Sequence, residues 1–382
     1  MVRTGKKTEF SLLIKPASAD CNLRCDYCFY LCTRCLYPQI KTHRMGDNVL
    51  ETVVSRYLST KQNCHVFGWQ GGEPTLMGVD FFRKVINLQI MHSSRGTNIM
   101  NALQTNATLV DDNFATLFSN YNFLVGVSID GPEKMHNRNR RNMSGEGSHA
   151  SVIRGIKCMQ NRNVSLNALV MVTKTNAKAA DLIIKYLCDL GISYHQFIPC
   201  VNYDVKDRPY PNSITADEWG DFLCTLFEVW MKKYRKHVSI RLFDAIIENM
   251  LHKKNSICHM QANCGQYFVV EHNGDVYPCD FFVKERYRLA NIIDDDFDYI
   301  LTNKKYLTFS TLKSKFNAQC NRCKYINFCM GDCMRHRLMI GNNSDKLSVL
   351  CKGWKKFFSY ALPKLKQMSK QINNTHKDMN YG

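Results

Sequence analysis

From residue 9 to about residue 200, short apolar runs rich in β-branched residues alternate with helix-like segments. The interval is roughly 30 residues, the length of a βαβ unit. The runs are FSLLIK, HVFGWQ, IMNALQTN, FLVGVSID, SLNALVMV and SYHQFIP. Between them lie helical patterns such as DNVLETVVSRYLST, with apolar residues near the 3.6-residue period and Asp47 placed to cap. Strands separated by helices pair in parallel, so six such units predict a parallel sheet flanked by helices. Six are too few for a complete eight-stranded barrel, and the expectation is an α/β fold, a curved, partial (β/α)6 TIM-like barrel.

After about residue 210 the pattern changes. Thr215 opens a helix, with Glu218 three residues on as a capping box, and a second helix follows around Arg241 to His252. Then come clustered cysteines, a hairpin QYFVVEHNGDVYPCD whose Asn273-Gly274 suits a tight turn, and a basic, partly apolar tail. The expected organisation is a barrel over residues 1–210, a helical linker region over 211–255 and a cysteine-rich domain with a C-terminal helix over 256–382. A chain of 382 residues with 45% hydrophobic content can bury the cores this requires.

No run of about 18 apolar residues occurs, and the start MVRTGKKTEFSLLIKP lacks a long apolar segment followed by a small-residue cleavage site. The expectation is a cytoplasmic protein with no membrane partner. Eighteen cysteines in a reducing compartment are ligands or catalytic thiols rather than a disulfide framework. The net charge of +18 is spread along the chain, with short groups such as MKKYRKH and HNRNRRN and no aromatic-and-basic signature beside the cysteines. A solvated basic surface, with no nucleic-acid partner, is expected.

The stretch CNLRCDYCFY spaces Cys21, Cys25 and Cys28 by three residues and then two. A closed zinc site wants four ligands, whereas three thiolates on a four-iron cluster leave one iron open to bind something else. Cys32 or Cys35 could complete a zinc knuckle, so spacing alone leaves both chemistries open. The loop follows the first strand and so lies at the C-terminal mouth of the sheet, where α/β folds build their sites. Gly71-Gly72-Glu73-Pro74 follows the second strand and faces the same mouth. Eight more cysteines fall in the last third: Cys258, Cys264, Cys279, Cys320, Cys323, Cys329, Cys333 and Cys351. Eight thiolates can close two four-iron clusters, and spacing alone does not separate these from zinc ribbons.

These residues resemble known patterns. CNLRCDYCFY is similar to the CxxxCxxC loop of radical S-adenosylmethionine (SAM) enzymes, with Tyr27 as the aromatic before the last cysteine. The resemblance implies a [4Fe–4S] cluster on Cys21, Cys25 and Cys28, whose open iron chelates SAM and yields a 5'-deoxyadenosyl radical. Gly71, Gly72, Glu73 and Pro74 look like the family's GGEP motif, which implies that its backbone and glutamate hold the methionine amino group. Ser128 and Asp130 in VSIDGP resemble the ribose-contacting end of strand four. His136 and Arg140 in HNRNR match a family pattern lining the site, with ordinary surface polar residues as the alternative.

The spacing C-x9-G-x4-C from Cys264 to Cys279, then C-x2-C-x5-C-x3-C from Cys320 to Cys333 and a lone Cys351, resembles the SPASM extension of these enzymes, with Cys258 as an eighth position. By position the resemblance assigns Cys258, Cys264, Cys279 and Cys333 to a first auxiliary [4Fe–4S] cluster, and Cys320, Cys323, Cys329 and Cys351 to a second. Cys32, Cys35, Cys64, Cys158, Cys188, Cys200 and Cys224 have no place in the scheme and read mostly as small buried residues.

YPCDF and the ligand order together resemble the anaerobic sulfatase-maturating enzymes, over nearly the whole chain from Phe10. The family's substrate is an active-site Cys or Ser of an unfolded sulfatase, converted to Cα-formylglycine. The resemblance implies that the radical takes a hydrogen from the substrate Cβ, that Asp280 deprotonates its thiol or hydroxyl, and that an electron passes to the first auxiliary cluster. Aromatic neighbours in YPCDFF are expected to raise the Asp280 pKa toward a useful value. An electron donor such as ferredoxin or flavodoxin is implied. One alternative is another SPASM maturase that crosslinks or epimerises a ribosomal peptide; such enzymes often carry an N-terminal recognition domain of about a hundred residues, for which residues 1–9 leave no room. The other is a zinc-ribbon nucleic-acid-binding protein, which predicts bound zinc and salt-sensitive binding to DNA or RNA.

Overall fold

A computed structural model of the chain describes residues 9–32, 36–204, 208–338 and 346–379. All six expected strands form, as β1 (Ser11–Lys15), β2 (Cys64–Trp69), β3 (Asn98–Thr105), β4 (Leu124–Ser128), β5 (Ser165–Val172) and β6 (Tyr194–Pro199). Four more follow: β7 (Ser239–Ile240), β8 (Tyr267–Glu271), β9 (Asp275–Tyr277) and β10 (Ala290–Asn291). Two compact units divide the chain. The first comprises residues 1–128, 137–166 and 264–311, and the second residues 129–136, 167–263 and 312–382.

In the first unit β1 to β4 run parallel as successive neighbours, separated in sequence by the helices Asp47–Leu58, Val79–His92 and Asp112–Asn120. The period of two is visible in β2, where His65, Phe67 and Trp69 are buried and their neighbours are not. Asp111 caps its helix by accepting from Phe114 N at 3.0 Å. Asp47 does not cap, contrary to the sequence expectation. Gly46 is the N-cap, and Asp47 takes the first helical position with its carboxylate 2.6 Å from Lys84. A negative charge there suits the helix dipole without a capping bond.

The expected hairpin forms, with β8 and β9 antiparallel around Gly274 at φ 89°. Nothing in the hairpin's own residues signals where β8 pairs next. It adds to β1 in parallel, in register from Ser11↔Tyr267 to Lys15↔Glu271, so the strand order in this unit is β10-β9-β8-β1-β2-β3-β4. Aromatic packing secures the addition: the Phe10 ring lies 5.3 Å from Tyr57, 5.2 Å from Phe268 and 5.1 Å from Phe297.

In the second unit β5, β6 and β7 are parallel neighbours, accompanied by the helices Ala180–Asp189, Ala216–Val229 and Arg241–His252. The predicted capping box is present: Glu218 N donates to Thr215 Oγ1 at 3.2 Å, and Thr215 N donates to Glu218 Oε2 at 2.8 Å. The C-terminal helix Cys351–Met379 packs along Ala216–Val229. The two backbones meet at Gly353, where a Cβ would sit 2.1 Å from the Ala216 carbonyl oxygen. Among the described residues no helix is long and apolar enough to cross a membrane, and no disulfide links the cysteines.

Candidate active site and cluster pockets

Just beyond β1, the three-cysteine loop is fixed by backbone hydrogen bonds. Cys28 N donates to Cys25 O at 3.1 Å, while Arg24 N and Asp26 N donate to Arg141 O and Asn139 O at 2.7 and 3.0 Å. Cys25 is buried, and Cys21 and Cys28 are partly exposed. Leu23 N lies 3.3 Å and Asn106 Nδ2 3.7 Å from the Cys21 sulfur. Asn106 also donates to Asn22 Oδ1 at 2.9 Å, and Asn22 to Thr108 Oγ1 at 2.8 Å. Burial, with the charge of Glu73 nearby, pushes the Cys21 thiol up to about 12. A coordinating metal deprotonates such a thiol outright. Cys35 and the Cys32 side chain, the candidate zinc ligands, lie outside the described residues.

Tyr27 is buried beneath Arg140, whose guanidinium carbon stands 5.3 Å from the ring centroid. Arg140 and His136 are both buried, so neither is the surface residue that the plainer sequence reading allowed.

The GGEP turn is pressed against this loop. Gly72 N donates to Ser18 O and Glu73 N to Asp20 O, both at 2.8 Å. A Cβ on Gly72 would lie 1.9 Å from the Asp20 carbonyl oxygen, and Gly71 has φ 125°. The glycines therefore serve backbone-to-backbone approach. Glu73 is held by four donors. Its Oε1 accepts from Thr75 N at 3.0 Å, Thr75 Oγ1 at 2.6 Å and Thr105 Oγ1 at 2.7 Å, and its Oε2 from Asn106 N at 2.7 Å. Burial raises its pKa against these donors. The carboxylate ties the end of β3 to the turn.

Ser128 ends β4 and accepts from Gln104 Nε2 at 3.0 Å. Asp130 belongs to the second unit, is fully buried, and accepts from Met171 N at 3.1 Å, while its own N–H donates to His136 Nδ1 at 3.4 Å. Its carboxylate oxygen Oδ1 braces β5 at Met171.

Asp280 lies in a buried group that only partly matches the expected aromatic pocket. Tyr30 donates its hydroxyl to Asp280 Oδ2 at 2.5 Å and receives a hydrogen bond from Gln70 Nε2 at 3.1 Å. Lys15 Nζ stands 3.8 Å from Asp280 Oδ1, 2.6 Å from Glu271 Oε1 and 4.7 Å from the Tyr30 ring centroid. Burial pulls the lysine down, but Glu271 and Asp280 outweigh it and hold Lys15 above its ordinary value. Burial would raise Glu271, and the Lys15 charge reverses this to about 2. Burial and the Asp280 charge hold the Tyr30 hydroxyl well above the ordinary range. Sequence reasoning missed Lys15, Tyr30, Gln70, Asn106 and Glu271. The available signal was a lone charge closing an apolar strand, as in SLLIK and YFVVE.

Of the C-terminal cysteines, Cys320, Cys323, Cys329 and Cys351 line one cavity, walled also by Tyr325, Ile326, Trp354 and Phe358. Four thiols converging on one pocket, with no carboxylate or imidazole on its wall, fit a closed four-iron cluster. Burial raises the Cys320, Cys329 and Cys351 thiols. Cys264 and Cys279 lie in the first unit, where Tyr267 Oη is 3.5 Å from the Cys279 sulfur; Cys258 and Cys333 lie in the second. Among the described residues, no group of three or more His, Cys, Asp or Glu side chains is arranged to hold a single metal ion.

Comparison with known proteins gives the class first. Residues 16–187 match the Radical SAM superfamily, and residues 258–324 match SPASM, an iron-sulfur cluster-binding domain. The chain is 38% identical to the cysteine-type anaerobic sulfatase-maturating enzyme of Clostridium perfringens, over 95% of this chain and 99% of that one. It is 32% identical to the serine-type enzyme of Bacteroides thetaiotaomicron, over 97% and 93%. The solved structure of native anSMEcpe with bound AdoMet and Cp18Cys peptide superposes with a TM-score of 0.89 at 38% identity, over 95% of this chain and 99% of that one. The chain belongs to the anaerobic sulfatase-maturating enzyme family of radical SAM enzymes. Its fold is the α/β radical SAM fold with a C-terminal SPASM domain, and its cofactors are SAM and [4Fe–4S] clusters, one radical and the others auxiliary.

Proposed function

We propose that this enzyme oxidises an active-site Cys or Ser of a sulfatase polypeptide to Cα-formylglycine. The observation that carries the reading is Asp280, buried beside Cys279 and held by Tyr30 and Lys15, which places a proton acceptor next to a proposed cluster ligand. When bound, SAM on the radical cluster supplies the 5'-deoxyadenosyl radical that takes one hydrogen atom, and the auxiliary clusters supply the acceptor for one electron.

Cys21, Cys25 and Cys28 hold the radical cluster. Gly71 to Pro74 shape the seat of the methionine end of SAM, Ser128 meets its ribose, and Tyr27 and Arg140 close the loop from the side. Cys258, Cys264, Cys279 and Cys333 hold the first auxiliary cluster, and Cys320, Cys323, Cys329 and Cys351 the second. Asp280 takes the substrate's thiol or hydroxyl proton at a carboxylate oxygen. A cysteine that has lost a hydrogen atom, a proton and an electron is a thioaldehyde, and water then replaces sulfur to leave the aldehyde and hydrogen sulfide. Serine reaches the aldehyde directly.

The boundaries 1–210, 211–255 and 256–382 describe the radical domain, the helical region and the SPASM domain. The substrate is an unfolded chain, which can lend its Cys or Ser to a buried acceptor. The electron partner is a small acidic carrier such as ferredoxin or flavodoxin. Residues 312–382 carry fourteen Lys and Arg against three Asp and Glu, a charge that suits an acidic carrier. Replacing Asp280 with Asn tests the reading: formylglycine should fall about 100-fold or more while 5'-deoxyadenosine still forms. Undiminished peptide oxidation would remove Asp280 from the chemistry.

A further inference from the structure

Lys15 and Glu271 are register partners at the ends of β1 and β8, and both side chains are fully buried. The rungs before them, Leu12↔Phe268, Leu13↔Val269 and Ile14↔Val270, are all apolar. A buried ion pair contributes little more to stability than a well-packed apolar pair of similar volume, and often less. Folding alone therefore gives no reason for charge on this last rung. What distinguishes it is its neighbour: the same ammonium that touches Glu271 at 2.6 Å reaches Asp280 at 3.8 Å, with the Tyr30 ring alongside.

We propose that Lys15 and Glu271 are positioning residues for Asp280, a buried ion pair that sets how strongly one ammonium holds one oxygen of the Asp280 carboxylate. The inference rests on the formylglycine reading. One cation is shared unequally between two carboxylates, and the nearer one takes most of its charge. Glu271 keeps Lys15 from closing on Asp280 and quenching it as a proton acceptor. Lys15 keeps the two carboxylates from repelling each other in a site too dry to screen them. Tyr30 fixes the second oxygen, so the carboxylate is oriented before substrate arrives. The parallel addition of β8 to β1 creates this geometry, and nine residues after Glu271 the chain supplies Asp280 itself.

The test uses the full chain, reconstituted anaerobically, with a sulfatase-type CxPxR peptide. Three variants are compared with wild type: Lys15→Met, Glu271→Gln, and the double variant Lys15→Met/Glu271→Leu, which removes both charges of the rung together and leaves neither partner of the pair buried alone. For the double variant the peptide KM should stay within about twofold while kcat falls about tenfold to a hundredfold. Formylglycine formed per 5'-deoxyadenosine should fall with kcat, since radical formation outruns proton removal. A double variant with wild-type kcat and product ratio would make the pair purely structural and overturn the proposal. A fall in kcat with an unchanged product ratio would also overturn it, because the pair would then act on radical formation. Wild type that makes 5'-deoxyadenosine but no formylglycine would instead overturn the reading beneath it.

Discussion

The loop of Cys21, Cys25 and Cys28 and the cavity of Cys320, Cys323, Cys329 and Cys351 are two thiol sites built on opposite plans. Around the loop the neighbours are polar: Asn106, Asn22, Thr108 and the Leu23 amide form a chain of hydrogen bonds that ends on the Cys21 sulfur. Around the cavity they are largely apolar, with Tyr325, Ile326, Trp354 and Phe358 on the wall. Three thiols in polar surroundings suit a cluster that must receive a polar ligand at its fourth position. Four thiols in an apolar wall suit one that is coordinatively closed and exchanges electrons only. The difference teaches that ligand count and surroundings together assign the task.

The largest expected effect breaks the first site. Cys25→Ala should lower both 5'-deoxyadenosine and formylglycine by about 10³-fold or more, because no open iron remains to bind SAM; cleavage at wild-type rate in a folded variant would refute the loop assignment. Next comes Cys329→Ala, which should reduce iron from about twelve to about eight atoms per chain while SAM cleavage persists. Loss of SAM cleavage together with the iron would erase the distinction between the two sites.

A sharper contrast uses two glycines. Gly72→Ala drives a Cβ to 1.9 Å from the Asp20 carbonyl beside the loop, and Gly353→Ala drives one to 2.1 Å from the Ala216 carbonyl two residues past Cys351. Each should destabilise by about 1–3 kcal/mol in denaturant titration. Gly72→Ala should impair SAM cleavage, and Gly353→Ala should lower auxiliary iron first. The smallest effect is Thr215→Ala, which removes a capping box from the helix packed on the Cys351 helix and should cost about 1 kcal/mol with activity retained.

Much of the scaffold was legible in the sequence because its signals are local. Six apolar runs separated by helix-like segments became β1 to β6, Thr215 and Glu218 became a capping box, and Asn273-Gly274 became the hairpin turn. Cysteine spacing was equally readable, and four of the spaced residues share one cavity. What could not be read were pairings set at long range. Nothing near residues 267–271 announces that β8 will lie parallel to β1, and so nothing announced that Lys15 would meet Glu271 and Asp280. Glu73 and Asp130 were legible as motif positions, while the long-range donors that help hold them, Asn106 and Met171, were not.

The most direct measurement of the central claim is mass spectrometry of a CxPxR peptide after anaerobic incubation with reconstituted protein, SAM and dithionite. The expected result is a loss of about 18 mass units at the cysteine, the change from a thiol-bearing carbon to an aldehyde, together with 5'-deoxyadenosine. An unchanged peptide, in protein shown to hold its iron and to cleave SAM, would contradict it.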